Sequence, residues 1–514
     1  MTEAVRLIDS ATAPAATAAR VTVDPERALG EVDPRIYGSF VEHLGRCVYG
    51  GIFDEGSPLS DDQGFRLDVL EALRELRPPV IRWPGGNFVS GYHWMDGVGP
   101  RDRRPRRWDR AWQVEESNRF GTDEFMELCR RLDAEPYLCF NMGTGTLDEA
   151  AAWVEYCNGD RNTDEAELRR RNGHREPHRV RYWGLGNEMW GPWQLGQLSA
   201  EEYVARAREM AKIVRRTDPE IELVGCGQVG WSEWDRIVID GLAPVMDWFS
   251  IHLYTGSADH YRNALMPHQA ERALETSRVL LDRARYLQEV EHPIHVAYDE
   301  WNQWFRREQI GNSHEDIYTL SDAVAVATYL NAFVRHCKTV RMANLAQAVN
   351  VIAPIRTSPE GLCLQTIYHP LRLYSQLMRG TALDVHVNSP SYDLTAKEES
   401  GSRHRVADLG PFNLLDASAV RNQRGKLVLS IVNRDPRRAL RTAVVVREPA
   451  AVRGGVQHVV TGPSPDSVNS FEEPDQVKVE DRPIKGEGSV FAVDLEPHTV
   501  SVFELEVDAA QQRR

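Results

Sequence analysis

The sequence lacks most of the patterns that mark large classes of proteins. Its 514 residues carry 61 Lys and Arg against 76 Asp and Glu, a formal net charge of −15 at pH 7. A basic face for nucleic acid or an anionic membrane is therefore not expected. No apolar run approaches the roughly 18 residues needed to span a bilayer. The first twenty residues lack the basic start and apolar centre of a secretory signal. We therefore expect a cytoplasmic protein that binds neither nucleic acid nor membrane.

Cysteine and metal-binding patterns are also sparse. The seven cysteines are odd in number, fall mostly in apolar runs and include no Cys-x-x-Cys pair, which indicates buried free thiols in a reducing compartment. The histidines form no HExxH motif and no Cys/His spacing suited to zinc, so we expect no metal ion. There is no Gly-x-Ser-x-Gly elbow, and Cys226 stands in no motif that would make it a nucleophile.

One glycine-rich motif does occur. Residues 225–230 read GCGQVG, which matches the dinucleotide-binding pattern GxGxxG directly after a predicted strand. It follows the fifth strand of the chain, however, and the next residues, WSEW, are not the small apolar start of a phosphate-binding helix. We interpret these glycines as a tight strand-to-loop turn and expect no cofactor.

The chain is long enough for one large and one smaller domain. From residue 36 onward strand-like and helix-like segments alternate, and the strands are apolar on both faces, which favours parallel pairing. Eight such units predict an α/β fold, a (β/α)8 TIM barrel, over residues 31–383. The predicted strands lie at 36–43, 80–86, 135–143, 181–188, 221–227, 247–254, 294–300 and 340–347.

The pattern changes after residue 383. Short apolar segments such as KLVLSIVNR and RTAVVVRE, with turn residues between them and no helical period, predict a C-terminal antiparallel β-sandwich of jelly-roll type over residues 384–514. Residues 1–30 form a leader with one alternating segment, ARVTVDPE. We expect this N-terminal strand to complete the sandwich, so that both ends of the chain share the smaller domain.

Carboxylates follow two of the predicted barrel strands, and the carboxyl ends of strands are where active sites of such barrels are built. The fourth strand ends in Asn187 and Glu188, the seventh in Asp299 and Glu300. A single strand-end glutamate is more often solvated or caps a helix, but two of the same design favour a site. Two carboxylates that face one sugar ring can cleave a glycosidic bond. Groups about 5 to 5.5 Å apart give retention of configuration, and about 6.5 to 9.5 Å gives inversion.

Other strand ends are polar or aromatic as well. Glu42 and His43 end the first strand, Asn87 follows the second, and His252 and Tyr254 end the sixth. Tryptophans offer flat faces for sugar rings, although about half of them would be expected to serve core or helix packing instead. The tryptophans concerned are Trp83, Trp94, Trp108, Trp112, Trp190, Trp193, Trp301 and Trp304.

Five segments carry a family resemblance. GSFVEHLGRCVYGGIFDE, RWPGGNFVSGYHWMDGVGP, YWGLGNEMWGPW, IHLY and YDEWN resemble, in this order, the motifs of the intracellular bacterial α-L-arabinofuranosidases of glycoside hydrolase family 51, in clan A. The resemblance covers residues 31–380, and the β-rich remainder fits the family's C-terminal sandwich. It implies an exo-acting, retaining enzyme that removes terminal arabinofuranosyl groups from oligosaccharides of arabinan or arabinoxylan. Glu188 would be the general acid/base and Glu300 the nucleophile.

The same resemblance assigns further roles. It implies that Glu42, Asn87 and Asn187 bind the furanose hydroxyls, that Tyr254 holds Glu300, and that His252 lies beside the acid/base. Because the acid must carry a proton near neutral pH, the pKa of its carboxyl is expected to be raised by a poorly solvated site and by the charge of the nucleophile.

Three further expectations concern a glutamine, two tryptophans and an arginine-rich loop. A glutamine after the eighth strand belongs to the family's site, and we favour Gln365 over Gln347. Trp94 and Trp193 are expected to contact sugar. The loop at residues 101–110 is rich in arginine, which we interpret as a solvated rim, with a subunit contact as the alternative. The resemblance also implies a homo-oligomer, commonly a hexamer.

Two alternatives remain open at this stage. Another retaining glycosidase on the same scaffold, such as an endoglucanase or β-xylosidase, would use the same pair of carboxylates. A non-catalytic sugar-binding protein would be expected to lack one of them, and both are present.

Overall fold

The computed structural model describes residues 5–8, 18–306, 313–394, 406–448, 450–485 and 488–508. Each of its two domains is built on a closed barrel of strands. Within these ranges no helix is long and apolar enough to cross a membrane.

The strands are β1 Val5–Ile8, β2 Ala19–Glu31, β3 Gly38–Phe40, β4 Val80–Trp83, β5 Arg107–Asp109, β6 Val114–Glu116, β7 Glu135–Cys139, β8 Tyr182–Leu185, β9 Glu222–Gly225, β10 Trp248–Thr255, β11 His295–Gln303, β12 Val340–Ala346, β13 Ile355–Thr357, β14 Leu362–Leu364, β15 Gly380–Asn388, β16 Ser391–Tyr392, β17 Phe412–Asn413, β18 Leu415–Asn422, β19 Leu427–Asn433, β20 Leu440–Val446, β21 Val452–Thr461, β22 Lys478–Lys485, β23 Val490–Leu495 and β24 Thr499–Val507. The α-helices are α1 Leu67–Leu76, α2 Thr122–Leu132, α3 Leu147–Asn158, α4 Asp164–Arg171, α5 Ala200–Thr217, α6 Glu233–Leu242, α7 His260–Leu265, α8 His268–Leu287, α9 Leu320–Arg335 and α10 Tyr368–Leu377.

The larger domain is a parallel eight-stranded barrel whose strands follow one another around the ring in chain order. The ring runs β3, β4, β7, β8, β9, β10, β11 and β12, and β12 pairs with β3 to close it. All eight predicted strands are present, so the predicted (β/α)8 barrel is confirmed. The two strands that extend past their predicted ends are β10 and β11, and both carry residues of the candidate site.

The helix after β8 illustrates why the helical segments form. In α5 the side chains of Tyr203, Ala207, Met210 and Val214 recur every three or four residues and are all fully buried. Ser199 accepts a hydrogen bond from the Glu202 amide, and the Glu202 side chain returns to the Ser199 amide, which is the predicted capping box. The buried stripe packs the helix against the outside of the barrel.

Bulky side chains fill the interior of the barrel. Seven of its eight strands contribute one residue each to a buried cluster: Val80, Tyr137, Tyr182, Val224, Trp248, Ala297 and Met342. These residues lie in the first three positions of their strands. The amino-terminal half of the barrel is therefore a packed core, and the carboxyl ends of the strands are left for polar groups.

The smaller domain is a ten-stranded, mainly antiparallel closed sheet. Its strand order is β1, β22, β21, β24, β19, β18, β15, β2, β20 and β23. As predicted, an N-terminal strand joins it: β2 pairs antiparallel with β15 and parallel with β20, and its Val21 and Val23 are fully buried. The predicted start of the domain at residue 384 falls inside β15, which begins at Gly380.

A buried polar network joins the two domains through α9, whose residues from Leu320 to Val334 are all buried. Asn331 donates a hydrogen bond to Asp416 at 2.8 Å and accepts one from Ser418 at 2.6 Å, both from the smaller domain. Arg335 lies 3.1 Å from the same aspartate. Because buried polar groups need matched partners, this network fixes the orientation of the barrel against the sheet.

Candidate active site

A cavity of about 1,050 Å³ opens at the carboxyl ends of the barrel strands. Parallel strands bring these ends to one rim, so side chains that are distant in sequence converge there. Eight of the ten predicted site residues line the cavity: Glu42, Asn87, Asn187, Glu188, Trp193, His252, Tyr254 and Glu300. The two predicted carboxylates therefore face a common space.

Glu300 lies inside strand β11, with its side chain only 7% exposed. The Arg82 guanidinium donates a hydrogen bond to its Oε1 at 2.6 Å, and the Tyr254 hydroxyl donates to its Oε2 at 2.8 Å. Both oxygens are therefore held by donors from two other barrel strands, β4 and β10. Hydrogen bonds to an ionised carboxylate are short and directional, so the group is fixed in one orientation.

Arg82 is a fully buried cation that ties several site residues together. Besides Glu300, its guanidinium donates to the Asn187 side-chain oxygen, and its Nε lies 3.4 Å from an Asp299 oxygen. Burial lowers the pKa of Arg82, but the carboxylates of Asp299 and Glu300 outweigh burial and raise that pKa well above its ordinary value. Arg82 therefore stays charged and positions two strand ends at once.

Glu188 stands in a different setting, three residues beyond the end of β8. Its backbone φ is 43°, a left-handed conformation that is uncommon outside glycine. Its Oε1 lies 3.1 Å from the Nδ1 of His252, and its Oε2 accepts a hydrogen bond from the Trp193 indole at 2.9 Å. The side chain is 14% exposed, and Trp193 is 52% exposed. The Glu188 carboxylate is thus held by Trp193 of its own loop and by His252 of β10.

His252 lies between the carboxylates. Its Nδ1 is 3.1 Å from Glu188 and 3.5 Å from Glu300, and its Nε2 is 3.7 Å from Asp299. Burial lowers the pKa of the imidazole, but the charges of the surrounding carboxylates outweigh burial and raise the pKa to about 10. His252 is therefore a buried imidazolium that offsets part of the negative charge of the site.

The direction of the Glu188 pKa differs from the sequence-based expectation. Burial raises the pKa of this carboxyl, but the hydrogen bond and the charge of His252 outweigh burial and hold the pKa below its usual value. The expectation considered only desolvation and the charge of Glu300. In this geometry the shared proton resides on His252, next to Glu188.

The two carboxylates are close enough to act on one atom. Oxygens of Glu188 and Glu300 and a ring nitrogen of His252 all lie within 4.8 Å of one another. Within the described ranges no other group of three or more His, Cys, Asp or Glu side chains is arranged closely enough to hold a metal ion. This set suits a cation poorly, because Arg82 donates to Glu300 and His252 is protonated. The arrangement suits proton transfer and nucleophilic attack instead.

Glu42 is a further acidic residue that lines the cavity. It is 3% exposed, and its carboxylate accepts hydrogen bonds from the Phe88 amide at 3.1 Å, the Trp112 indole at 3.0 Å and the Gln347 side chain at 3.1 Å. Burial, together with the charge of Glu300, raises the pKa of Glu42 to about 8. Its carboxyl group is thus held rigidly at the inner wall.

Two glycines allow the chain to pass close to Glu42. A Cβ atom at Gly85 would lie 2.7 Å from the Glu42 Cγ, and one at Gly86 would lie 2.9 Å from its Oε2. Asn87 follows directly and lines the cavity. Two residues past the end of β8, the Asn187 side-chain nitrogen is buried without a hydrogen-bond partner among the described residues. It remains available to a substrate hydroxyl.

The choice of Gln365 for the site is corrected by the structure. Gln365 is fully buried away from the cavity, where it accepts from the Tyr318 amide at 3.0 Å and donates to the Asp316 and Ala353 carbonyls at 3.0 and 2.7 Å. The glutamine that lines the cavity is Gln347, at the end of β12. Gln365 instead braces the loop before α9.

Trp94 also lies outside the cavity. Its side chain is 2% exposed, donates a hydrogen bond to the Glu149 carbonyl at 3.1 Å and stacks parallel to Trp153 at 6.4 Å. It is a core residue, as was expected for about half of the tryptophans.

The arginine-rich loop contains a small hairpin of β5 and β6. Four of its arginines form ion pairs with carboxylates of the same chain: Arg101 with Glu124, Arg104 with Glu124, Arg106 with Glu115 and Arg107 with Asp96. The turn of the hairpin carries Trp112, whose indole reaches Glu42. These ion pairs therefore fix one wall of the cavity.

Arg82 is not among the predicted site residues, although the sequence carries a signal for it. Arg82 is the only charged residue in the apolar strand VIRW. A buried charge needs a partner, so an arginine in such a strand indicates carboxylates nearby.

Comparison with known proteins places this geometry in a family. Two family models match the chain: the alpha-L-arabinofuranosidase 1 domain over residues 72–272 and the alpha-L-arabinofuranosidase C-terminal domain over residues 299–499. A probable alpha-L-arabinofuranosidase C of Aspergillus terreus is 47% identical over 430 residues, which cover 80% of this chain and 84% of that protein. An intracellular exo-alpha-(1->5)-L-arabinofuranosidase of Halalkalibacterium halodurans is 41% identical and covers 73% of this chain and 79% of its own length.

The similarity extends to the whole fold. The solved structure of the GH51 alpha-L-arabinofuranosidase from Thermotoga petrophila superimposes with a TM-score of 0.87 at 39% identity, over 95% of this chain and all of that one. Since both domains are included, the agreement is not limited to the barrel. The chain therefore belongs to the α-L-arabinofuranosidases of glycoside hydrolase family 51.

Proposed function

We propose that this protein is a retaining, exo-acting α-L-arabinofuranosidase that hydrolyses non-reducing terminal arabinofuranosyl groups of arabinan- and arabinoxylan-derived oligosaccharides. The observation that carries the proposal is the pair Glu188 and Glu300, since one carboxylate oxygen of each lies within 4.8 Å of the other across the cavity. Such a short separation supports retention, since an inverting enzyme must leave room for a water molecule between its carboxyl groups.

In the first step the Glu300 carboxylate attacks the anomeric carbon while Glu188 donates a proton to the leaving oxygen. The glycosidic bond breaks, the leaving group departs as an alcohol, and an arabinosyl ester forms on Glu300. The hydrogen bonds from Arg82 and Tyr254 aim the attacking carboxylate. The proton that Glu188 delivers comes from the pair it forms with His252, 3.1 Å away.

In the second step Glu188 acts as a base. It removes a proton from a water molecule, the water oxygen attacks the anomeric carbon, and the ester bond to Glu300 breaks. Two displacements on the same carbon restore the original configuration. The ester carries no charge, so the repulsion between the two glutamates is absent while Glu188 waits for water.

Recognition of the furanose is assigned to the polar wall of the cavity. Glu42, Asn87, Asn187 and Gln347 come from four different strand ends and face the same space as the two carboxylates. The unpartnered Asn187 nitrogen is suited to the hydroxyl next to the anomeric carbon, since Asn187 directly precedes Glu188 in the chain.

An aromatic wall supports the exo mode of action. Trp112 contacts His314 edge-on at 5.4 Å, His314 contacts Trp304 at 5.8 Å, and Trp304 contacts Tyr254 at 5.1 Å. These rings belong to three different loops or strands and close one side of the cavity. A terminal ring fits inside such a wall, whereas a continuing chain would have to pass through it.

The proposal is tested by incubating the protein with arabino-oligosaccharides and following the product by proton NMR at early times. Release of single arabinose units that first appear as the α anomer is expected. Release of the β anomer first would contradict retention. A panel of aryl glycosides separates the rivals, and dominant turnover of a pyranoside would overturn the proposed substrate.

We also propose that the enzyme works in the cytoplasm. All seven cysteines lie within the described ranges, and all are buried and free. Free thiols are maintained in reducing compartments. The relative from Halalkalibacterium halodurans is named as intracellular. Cell fractionation should place the activity in the cytoplasmic fraction, and recovery from the culture medium would contradict it.

The family resemblance further supports a homo-oligomer, with a hexamer as the expected form. Light scattering on the purified protein should give a multiple of the 58.3 kDa chain mass. A single-chain mass at assay concentration would reject this part of the proposal.

A further inference from the structure

Part of the cavity is not used by the proposed mechanism. The furanose-binding groups follow the first, second, fourth and eighth barrel strands, but the cavity is also lined by residues that follow the fifth and sixth. These residues are Gln228, Val229, Trp231, Ser257, Arg262 and Met266. A cavity of about 1,050 Å³ is at the upper end of the range for drug-sized ligands, so it has room for more than one pentose ring.

The loop after the fifth strand, residues 228–232, is held in one conformation. The buried carboxylate of Asp235 accepts hydrogen bonds from the backbone amides of Gln228 at 2.6 Å, Gly230 at 2.8 Å and Ser232 at 2.8 Å. Gly230 has a φ of 91°, and a Cβ there would lie 2.8 Å from Ser277 of α8. The GCGQVG motif is thus a rigid turn that presents Gln228 and Trp231 to the cavity.

This loop adjoins the loop that carries Glu188. Strands β8 and β9 are neighbours in the barrel, and the Trp190 indole donates a hydrogen bond to the Gly227 carbonyl at 3.1 Å. A leaving group that takes its proton from Glu188 therefore lies beside Gln228 and Trp231. An indole face and an amide are groups that bind a pyranose ring.

Arg262, on α7 after the sixth strand, adds a charge to this part of the cavity. Its backbone amide is bonded to Asp259 at 2.9 Å, but no described carboxylate forms an ion pair with its guanidinium. Other arginines near the rim are paired, for example Arg46 with Glu315 and Arg306 with Asp322. An unpaired guanidinium at a cavity wall is a site for a planar anion such as a carboxylate.

We propose that residues 228–232 and Arg262 form a subsite for the leaving-group sugar, and that Arg262 selects leaving groups that bear a uronic acid carboxylate. This inference rests on the proposed function, because it concerns the group that departs when the arabinofuranosyl bond is cleaved. The observation behind it is that one cavity holds Glu188, a rigid loop with Trp231, and Arg262, whose guanidinium forms no ion pair with a carboxylate of the described residues.

The test uses one matched pair of substrates. The first is an arabinofuranosyl oligosaccharide that carries a single uronic acid residue, and the second is the same compound after reduction of the carboxyl group to a primary alcohol. Wild-type kcat/KM should favour the uronate by about fivefold to tenfold, a typical effect of one charge-assisted contact. The preference should shrink as ionic strength rises.

Two variants of Arg262 and one control locate the effect. Arg262→Gln should bring the ratio of the two kcat/KM values close to one, and Arg262→Lys should keep part of it, because lysine retains the charge without the planar fork. Arg236→Gln changes an arginine on α6 that is paired with Glu233 outside the cavity and should keep the wild-type ratio. A ratio within one variant is independent of how much of the sample is folded.

The outcomes separate this inference from the proposed function. Equal turnover of both compounds by the wild type, or an unchanged preference in Arg262→Gln, would overturn the subsite while arabinose release still supported the enzyme activity. Absence of arabinose from both compounds and from 4-nitrophenyl α-L-arabinofuranoside would overturn the proposed function itself, and the subsite with it.

Discussion

The surroundings of Glu300 and of Glu188 differ in a way that matches their proposed tasks. Glu300 lies inside a barrel strand, and both its oxygens are held by side chains from two other strands. Glu188 lies past the end of its strand, in a left-handed conformation, and its partners are Trp193 from its own loop and His252. The nucleophile has to meet one carbon atom, whereas the proton donor has to serve the leaving oxygen and then water. A carboxylate held in one orientation suits nucleophilic attack, and a carboxylate that can shift suits proton transfer to two different oxygens.

The largest effect is expected from removing the Glu300 carboxylate, which is held rigidly. In Glu300→Ala no ester can form, so turnover of every arabinofuranoside should fall by at least about 10⁴-fold, whatever the leaving group. Initial rates on an oligosaccharide and on an activated aryl arabinofuranoside measure this. A variant that kept its rate on the aryl substrate alone would show that Glu300 is not the nucleophile.

Removing the Glu188 carboxylate should have an effect on the rate that depends on the leaving group. In Glu188→Ala the rate on oligosaccharides should fall by roughly 10² to 10⁴-fold, the usual contribution of general acid and base catalysis. An activated phenol needs no proton to depart, so its first displacement should be nearly preserved. Added azide should then increase turnover, because it attacks the ester without a base. Equal losses on both substrates, with no response to azide, would contradict the assigned role.

A smaller effect is expected from removing one of the two hydrogen bonds that orient the Glu300 carboxylate. Tyr254→Phe removes the hydroxyl that donates to Oε2 of the carboxylate at 2.8 Å. We expect kcat to fall by about 10- to 100-fold with KM little changed, since a hydrogen bond to a charged group is worth about 1.5 to 3 kcal/mol. Tyr329→Phe is the matched control, because that buried hydroxyl lies outside the cavity, 3.5 Å from the Leu253 carbonyl. Equal losses in both variants would indicate a packing effect.

The smallest effect is expected from replacing His252, which shares a proton with Glu188. The pKa of His252 is raised to about 10, so the pair of His252 and Glu188 retains a proton up to that pH. In His252→Gln the proton must reside on Glu188 alone. The basic limb of kcat/KM should therefore move to lower pH by about one unit or more, with a roughly tenfold lower maximum. An unchanged basic limb would show that His252 does not store the proton.

Much of the fold could be predicted because its signals are local. Each barrel strand is a short apolar run between helices with a clear 3.6-residue period, and α5 even carries its capping box in the sequence. Glu188 and Glu300 could be singled out because each directly follows an apolar run in the sequence. That they face each other follows from the closed parallel barrel, since all its strands end at one rim.

The residues that were misplaced depend on non-local geometry. Gln347 and Gln365 both follow apolar segments, and only the path of the chain after β12 decides which of them enters the cavity. Trp94 follows the second strand closely, as site residues do, but turns into the core against Trp153. The lowered pKa of Glu188 depends on His252, a neighbour 64 positions away in the sequence. Such pairings are fixed by tertiary packing and leave no local trace.

The position of β2 has a consequence for synthesis of the protein on the ribosome. This strand emerges early, yet its neighbours β15 and β20 are translated only after the whole barrel. Until then its buried valines have nothing to cover them, and an exposed strand edge invites pairing with other nascent chains. All barrel strands are therefore synthesised while this strand is still unpaired, and expression at lower temperature or with chaperones should improve the yield of correctly assembled enzyme.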